Sequence, residues 1–238
     1  MKTGIIGAVR QEVDLLFADL AASGRPVRVV RQGSLEFHEG ELDGCPVVIV
    51  CAGVGKVNAA VCAQILISVF GVQGIINTGS AGGLSSGLAV LDMVVSTDLV
   101  QHDVDATAFG YSPGQIPGTV SPFFESDARL RRIALDSFGR TGCPGRMVEG
   151  RIASGDVFVH DPALRGRIIS LFAPDCVEME GAAVAQACAV NGIPFVILRS
   201  ISDLAGEGAG MTYDDFSEKA SHTSSLVVRG MLSSCRAL

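Results

Sequence analysis

Short runs of apolar residues, each about the length of a β-strand, recur along the whole chain. They lie at 3–8, 46–53, 74–79, 92–100 and 194–202. Between several of them the apolar residues repeat with helical spacing, at 10–22, 56–70, 180–191 and 214–233. Strands that are apolar on both faces and alternate with helices are typical of a parallel sheet covered on both sides. Functional groups in such a sheet are expected at the carboxyl ends of the strands.

Two segments depart from this pattern. Residues 26–44 alternate polar and apolar positions and contain glycines, which predicts antiparallel strands beside the main sheet. Residues 101–124 contain three prolines, three glycines and several aromatic residues, which favours a functional or interface loop over a linker. We therefore predict one α/β domain over residues 1–238, with a central mixed, largely parallel sheet flanked by helices.

The composition narrows the possible partners. Hydrophobic residues make up 48% of the 238 residues and charged residues 18%, which is enough to bury one large core. The formal net charge is -7 and no run of Lys or Arg exceeds two residues. Binding to a nucleic acid polymer requires a basic surface, so we exclude that function.

Seven cysteines without C-x-x-C spacing, mostly within apolar stretches, indicate buried thiols in a reducing compartment. The apolar run near the start of the chain is too short for a signal peptide and soon reaches Arg10 and Glu12. No stretch has the eighteen or so uninterrupted apolar residues of a membrane span. We expect a cytoplasmic protein that does not enter a membrane.

Two glycine-rich turns follow apolar strands, at 51–60 and 77–87. The first is not a Walker A loop, because Lys56 is followed by Val57 instead of Ser or Thr. The second lacks the glycine spacing of a dinucleotide-binding turn. Two interpretations of the second turn stay open, a tight structural turn or a close backbone approach to a ligand. In the latter case Ser80 and the amides of Ala81 and Gly82 would make the contacts.

Two glutamates flank a methionine in VEMEG, residues 177–181. On a strand end Glu178 and Glu180 would share one side, with Met179 on the other. Two buried carboxylates repel each other, so we expect only one inside and the other solvated or paired. The buried one could accept hydrogen bonds from two vicinal hydroxyls, whereas a carboxylate at a helix N-terminus can also be purely structural.

Two further acids follow apolar strands. Asp203 ends a strand that also carries Arg199 and Ser202, and the next helical pattern begins only near 214. A capping role is therefore less favoured for Asp203 than contact with a ligand. Glu12 follows the first strand, where a first-turn glutamate favoured by the helix dipole is the alternative to a functional acid.

The blocks GIIGAVRQEV, AGVGKVNAA, INTGSAGGL, HDVDATAFGY, SGDVF, VEMEGAAVAQ and RSISD occur in this order over nearly the whole chain. Together they resemble the 5′-methylthioadenosine/S-adenosylhomocysteine nucleosidases of the purine nucleoside phosphorylase superfamily. The resemblance implies a nucleoside phosphorylase-like α/β domain and a homodimer. It also implies hydrolysis of methylthioadenosine and adenosylhomocysteine, and of 5′-deoxyadenosine, to adenine and the sugar, in methionine salvage and the recycling of adenosylmethionine by-products.

The resemblance assigns roles to individual residues. Asp203 would protonate or hydrogen-bond adenine N7, and Glu12 would be the general base for the attacking water. Arg199 and Ser80 would help to order that water and Glu12. Glu180 would hold the ribose hydroxyls. The remaining contacts would be Met179 against the sugar, Phe158 and the backbone of Val159 at adenine, and Val9, Val54, Ala106 and the partner's Phe109 around the 5′ substituent.

Phosphorylases of the superfamily carry an arginine two residues before the GS turn, where this chain has Asn77. Arg10 is a poor phosphate ligand because the Glu12 carboxylate beside it would repel the anion. Water is therefore the expected nucleophile, with a phosphorylase kept as an alternative. A second alternative is an aminodeoxyfutalosine nucleosidase. Relatives vary at the positions of Val9 and Ala106, which shape the pocket for the 5′ substituent, so the preferred substituent stays open. A noncatalytic sensor of adenosine compounds would have no use for Glu12.

No metal or cofactor is expected. The four histidines, His38, His102, His160 and His222, lack the spacing of metal ligands. His102 with Asp103 and Asp105 could suggest a metal site. Loop capping and interface hydrogen bonds are the favoured interpretation of that cluster.

Overall fold

The computed structural model describes residues 1–204 and 213–235. Its strands are β1 (Thr3–Gly7), β2 (Arg28–Gln32), β3 (Leu35–Leu42), β4 (Cys45–Cys51), β5 (Gly74–Gly83), β6 (Met93–Gln101), β7 (Phe123–Glu125), β8 (Met147–Ser154), β9 (Cys176–Glu178) and β10 (Phe195–Asp203). Its α-helices are α1 (Asp14–Ala22), α2 (Lys56–Ser68), α3 (Ala128–Thr141), α4 (Pro162–Phe172), α5 (Gly181–Asn191) and α6 (Tyr213–Cys235), with 3₁₀ helices at Arg10–Glu12 and Thr107–Phe109.

The centre of the sheet is parallel. Strand β1 lies between β4 and β5, β10 lies on the other side of β5, and all four run in the same direction. Strands β2 and β3 add an antiparallel hairpin beside β4, which confirms the prediction for residues 26–44. The sheet is therefore mixed, and the carboxyl ends of its four parallel strands meet at one edge.

Part of the sheet closes into a ring that the apolar pattern did not predict. Strand β10 pairs with both β5 and β6, β6 pairs with β8, β8 with β9, and β9 returns to β5. The last of these ladders is antiparallel and joins Val177 to Gly82. Because of this closure the end of β9 reaches the end of β5, which places VEMEG beside the second glycine-rich segment. Residues 77–83 of that segment belong to β5 and do not form the predicted turn.

Two apolar layers cover the sheet. One contains the inner faces of α2 and α5, where Ala59, Cys62 and Ala185 are buried. The other contains α1, α3 and α6, with Leu16 and Met231 among its buried residues. All five residues of β1 are buried, as its uninterrupted apolar run predicts for a strand between two helical layers. Among the described helices, none combines the length and the apolarity needed to cross a bilayer.

Buried cysteines are part of this core. Cys45, Cys62, Cys176 and Cys188 are buried, and Cys51 and Cys143 are partly buried. Burial raises the pKa of the Cys62 and Cys188 thiols to about 12, because a thiolate would lose its hydration there. Those thiols are protonated at neutral pH and pack as small apolar groups. The side chain of Cys235 lies outside the described residues.

The apolar pattern missed several elements between residues 126 and 178. Helix α3 is amphipathic, with Leu130, Ala134 and Ser137 buried on one face, but it carries several arginines and is polar on average, so a search for apolar runs passes over it. Capping residues were the available signal, since the Asp127 side chain accepts the amides of Arg129 and Leu130 at its start. Asp161 caps α4 in the same way. Strand β9 has only three residues, too few for any period.

Candidate active site

The Glu12 carboxylate lies at the end of β1 and points back toward β5. Its Oε2 accepts the amides of Ala8 at 2.7 Å and Val9 at 3.2 Å, and its Oε1 accepts the Ser80 amide at 3.0 Å. A Cβ at Gly79 would lie 2.7 Å from Oε1, so only glycine permits this approach. The carboxylate is thus fixed by three backbone donors from two strand ends, which a simple first-turn glutamate of α1 would not require.

Glu178 is the structural member of the glutamate pair. Its carboxylate accepts the amides of Glu180 at 3.0 Å and Gly181 at 2.8 Å, the Ser154 hydroxyl, and the Arg199 guanidinium. Burial would raise the pKa of Glu178, but the Arg199 charge and these donors outweigh it and hold the pKa below its ordinary value. Glu178 is therefore an ionised carboxylate in a buried pair with Arg199.

Glu180 is also buried, so the expectation that only one of the two glutamates lies inside is wrong, whereas the pairing expected for the second glutamate is present between Glu178 and Arg199. Its Oε1 accepts the Gly55 amide at 2.8 Å, and its Oε2 lies 3.9 Å from the Arg199 guanidinium. Burial, followed by repulsion from Glu178, raises the pKa of Glu180 to about 7. Both carboxylates can be buried for two reasons. Arg199 lies between them, and Glu180 is partly protonated near neutral pH.

Arg199 is 1% exposed, and its guanidinium donates to Glu178, to Asn77 Oδ1 at 2.7 Å and to the Leu198 carbonyl. The resemblance places Arg199 with Ser80 beside Glu12. In the structure Ser80 is in direct contact with Glu12, whereas the side-chain hydrogen bonds of Arg199 go to the other side of the site. Arg199 therefore influences Glu12 through its charge.

Asp203 ends β10 just after an irregularity in the ladder with β5. Ile201 pairs with Ala81 and Asp203 with Gly82, so Ser202 is the extra residue of a bulge, a feature that re-aims side chains. The Ser202 hydroxyl donates to Asp203 Oδ2 at 3.0 Å and lies 3.3 Å from the Ala81 carbonyl. The bulge and this hydroxyl set the direction of the Asp203 carboxylate.

A cavity of about 40 Å³ opens beside Asp203. It is lined by Gly82, Val157, Phe158, Val159, Val177, Glu178, Met179 and Asp203. Phe158 is 70% exposed at its mouth, whereas Val159 is buried. A flat apolar wall, a backbone edge and a carboxylate thus surround one small space, an arrangement suited to a planar heterocycle.

The residues predicted around the 5′ substituent lie on separate segments of the chain, at positions 9, 54 and 106–109. Val9 donates its own amide to Glu12, and Val54 directly precedes Gly55, whose amide Glu180 accepts, so both residues border the carboxylates. Ala106 is buried within the 101–124 segment, and Phe109 is 83% exposed. Neither of these two lines the cavity beside Asp203. In the same segment Asp105 accepts the Thr107 amide and hydroxyl, the capping expected for this cluster.

The sequence interpretation did not identify Ser154, and it treated Asn77 only as the residue in place of a phosphate-binding arginine, yet both support the site. Asn77 donates to the Ile6 carbonyl at 2.9 Å while it accepts from Arg199, and Ser154 donates to Glu178. Both are completely buried. Buried polar groups require partners, so a polar residue within an apolar strand run was the signal that could have found them.

Comparison with known proteins identifies the family of this chain. The sequence pattern of the phosphorylase superfamily matches residues 2–233. The 5′-methylthioadenosine/S-adenosylhomocysteine nucleosidase of Treponema pallidum is 42% identical over 260 aligned positions, which cover 100% of this chain and 95% of that protein. The chain belongs to the 5′-methylthioadenosine/S-adenosylhomocysteine nucleosidase family of the phosphorylase superfamily.

Solved structures of this superfamily have the same fold. The nucleosidase of Neisseria meningitidis, in complex with methylthio-immucillin-A, superposes with a TM-score of 0.91 at 40% identity and covers 98% of this chain and 99% of that one. The futalosine hydrolase of Helicobacter pylori superposes with a TM-score of 0.90 at 35% identity, with 98% of each chain covered. The nucleoside phosphorylase-like α/β fold is therefore confirmed.

The buried charge of Glu180 makes stability depend on pH. A carboxyl whose pKa rises from about 4.5 to about 7 on folding binds more protons folded than unfolded, so stability falls as pH rises through that window. Replacing Glu180 with glutamine should raise the free energy of unfolding at pH 8 by about 1–3 kcal/mol, and the gain should shrink toward pH 5.

Urea unfolding at the two pH values measures this difference. The exposed Glu125 is the matched control, because Glu125→Gln removes a carboxylate that is already hydrated. A gain for Glu180→Gln that is equal at pH 5 and pH 8, or a loss at pH 8, would contradict a raised pKa. Activity should fall in the same variant, since the amide replaces one of the two acceptor oxygens of the carboxylate with an NH2 group that cannot accept from a hydroxyl.

Proposed function

We propose that this chain hydrolyses the N-glycosidic bond of 5′-methylthioadenosine and S-adenosylhomocysteine and releases adenine and the 5-thioribose product. The observation that carries the proposal is the arrangement of three acids, Glu12, Glu180 and Asp203, around the carboxyl end of β5. Glu12 is bonded to Ser80, Asp203 pairs with Gly82, and Glu180 is bonded to the neighbouring turn at Gly55.

Each acid suits one part of the reaction. Cleavage of the bond to C1′ develops positive charge on the sugar and negative charge on the departing base. Asp203 gives a proton to adenine N7, so the base leaves neutral, while Phe158 and Val159 hold the ring. Glu180 accepts hydrogen bonds from the ribose hydroxyls beside Met179. Glu12 takes a proton from the water that attacks C1′.

The choice of water over phosphate is supported by two side chains. Asn77 stands where phosphorylases carry an arginine, and its amide donates to the Ile6 carbonyl and accepts from Arg199. Arg10 is directed away, since its guanidinium is bonded to Asp14 and lies 4.3 Å from the Phe17 ring centre. Within the described part of the chain, Arg199 is the cation at the site, and the Glu178 carboxylate already balances its charge.

Adenine release from methylthioadenosine in phosphate-free buffer tests the proposal. We expect the same initial rate with and without added phosphate, measured by chromatography of adenine, and free thioribose as the second product. Adenine release only in the presence of phosphate, with a sugar phosphate as the second product, would replace the hydrolase with a phosphorylase. Binding of the nucleoside without any adenine release would favour a sensor.

Aminodeoxyfutalosine is a second candidate substrate, because the futalosine hydrolase superposes almost as closely as the nucleosidases. The two reactions need the same acids and differ in the group at C5′. A comparison of kcat/KM for methylthioadenosine, adenosylhomocysteine, 5′-deoxyadenosine and aminodeoxyfutalosine separates them. The proposal requires the two thio-nucleosides to be the better substrates.

We infer a cytoplasmic homodimer in which the partner's Phe109 closes the 5′ end of each site. The support is the exposure of apolar side chains in the 101–124 segment and around the start of α2, where Phe109 is 83% exposed, Val57 72%, Val61 50% and Val54 48%. Such a set is costly in water and is typical of an interface. Sedimentation velocity measures the mass directly, and a species of 24.6 kDa at micromolar concentration would overturn the inference.

A further inference from the structure

Lys56, the first residue of α2, connects two loops outside its own helix. Its Nζ donates to Asp103 Oδ1 at 2.6 Å and to Gln101 Oε1 at 2.9 Å. Its backbone amide donates to Asp156 Oδ1 at 2.8 Å, so Asp156 caps the helix from a distant loop. The Lys56 side chain is only 17% exposed, which is low for a lysine and indicates a specific environment.

Asp103 completes a closed set of contacts. While its Oδ1 binds the Lys56 ammonium, its Oδ2 accepts the Asp156 amide at 2.9 Å. Each of Lys56, Asp103 and Asp156 is therefore bonded to the other two, and we call these three residues the loop clasp. The ammonium and the donors hold the pKa of Asp103 below its ordinary value although burial opposes this, so Asp103 is ionised at neutral pH.

Each loop joined by the clasp carries a part of the active site. Gly55, directly before Lys56, donates its amide to Glu180. Gly55 has φ +100°, and a Cβ there would lie 3.1 Å from Asp156 Oδ1, so this turn is shaped around the clasp. Phe158 follows Asp156 by two residues. The third loop, which contains Asp103, is the beginning of the 101–124 segment.

We propose that the loop clasp is a positioning device for the nucleosidase reaction, which sets the Gly55 amide against Glu180 and the Phe158 segment against adenine at the same time. This inference rests on the function proposed above. Lys56, Asp103 and Asp156 do not line the cavity beside Asp203. They act through the residues that follow or precede them in the chain.

The clasp should affect substrate binding more than stability. An ion pair with partly exposed members, 17% for Lys56 and 28% for Asp103, contributes little to unfolding. Displacement of binding groups by about 1 Å, by contrast, can cost an enzyme about 10²-fold in efficiency. Loss of the clasp should therefore raise KM clearly while the protein stays folded.

A change in pH dependence would distinguish positioning from general loosening. Glu180 faces Glu178 on β9, Arg199 on β10, Glu12 on the 3₁₀ helix and the Gly55 amide. Of these, Gly55 is the neighbour that the clasp holds directly. Loss of its hydrogen bond would favour the protonated form of Glu180, and the pKa of Glu180 would rise. The acid limb of kcat/KM against pH should then shift to higher pH.

The test compares Asp103→Ala and Lys56→Met with the wild-type protein on methylthioadenosine. We expect KM to rise roughly tenfold in each, the loss typical for a hydrogen bond to a charged group, with a smaller change in kcat. The acid limb should move to higher pH in both. Asp103→Asn, which keeps one oxygen to accept the Asp156 amide, should recover part of the KM.

Lys2→Met is the matched control, because Lys2 forms an ion pair of comparable burial with Glu39, away from the site. It should leave KM and the acid limb unchanged. If Lys2→Met reproduces the KM increase, or if the clasp variants keep wild-type KM and pH profile, the positioning role is wrong.

Hydrogen–deuterium exchange supplies a readout that is independent of activity. Peptides covering 53–60 and 155–160 should exchange faster in Asp103→Ala and Lys56→Met than in the wild type, with no such change in Lys2→Met. Unchanged exchange in both peptides would overturn the clasp even if KM rises. If the wild type releases no adenine, the proposed function fails, and the exchange result still decides whether the clasp holds the two loops.

Discussion

Replacing Asp203 with asparagine should lower kcat for adenine release by about 10²- to 10⁴-fold, the usual contribution of a general acid. Asparagine keeps the shape of the side chain and an acceptor for the Ser202 hydroxyl, which lies 3.0 Å from Asp203 Oδ2. It cannot give up a proton to N7, so the base must leave as an anion. Single-turnover measurement of adenine formation isolates this step from product release.

A substrate with a better leaving group provides the control for this role. A 4-nitrophenyl thioriboside needs no protonation to leave, so Asp203→Asn should cleave it at a rate close to that of the wild type. Ser202→Ala, which removes only the orienting hydroxyl, should lose much less activity on methylthioadenosine. If Asp203→Asn stays within tenfold of the wild type on methylthioadenosine, Asp203 is not the general acid.

Replacing Glu12 with glutamine should also abolish most turnover, again by about 10²- to 10⁴-fold, while the nucleoside still binds. The carboxylate is held by the amides of Ala8, Val9 and Ser80, so its geometry is set before the substrate arrives. Glutamine has no basic oxygen to take a proton from water. The measurements are kcat by adenine release and Kd by titration calorimetry.

The two variants should differ on the nitrophenyl substrate. Water must attack C1′ whatever the leaving group is. Glu12→Gln should therefore remain inactive on the nitrophenyl substrate, which Asp203→Asn is expected to cleave at nearly the wild-type rate. Thermal unfolding of Glu12→Gln checks that the amide has not disturbed the turn at Ala8. Near-normal turnover in a folded Glu12→Gln protein would remove Glu12 from its role and, with it, the proposed hydrolysis.

Much of the fold could be predicted from the apolar pattern, because its central strands are buried on both faces. Strand β1 and strand β4 are continuous apolar runs, and helix α2 beside them is itself rich in apolar residues. Of the elements that were missed, α3 is amphipathic but polar on average, and β9 has only three residues. A search for apolar runs finds segments that are buried on several sides and passes over those that are short or bury one narrow face.

The acids of the site were predicted by their position after strands and by the family resemblance. Their burial and their ion-pair partners were not predicted. Sequence reasoning expected only one of the two glutamates in VEMEG to lie inside, with the other solvated or paired. It placed Arg199 beside Glu12 and did not identify it as the partner of Glu178, which is 21 residues away along the chain. A buried charge is acceptable only with its partner, and the partner comes from another strand.

By itself, the sequence determined which segments are buried, that the sheet is mixed, and which acidic residues stand at strand ends, because these properties depend on neighbours within a few positions. Only the tertiary structure decided that β9 closes onto β5, that Arg199 lies between Glu178 and Glu180, and that Lys56 joins Asp103 to Asp156. Those contacts join residues 19 to 100 positions apart. Their geometry follows from how the strands pair, which no local pattern of hydrophobic and polar residues contains.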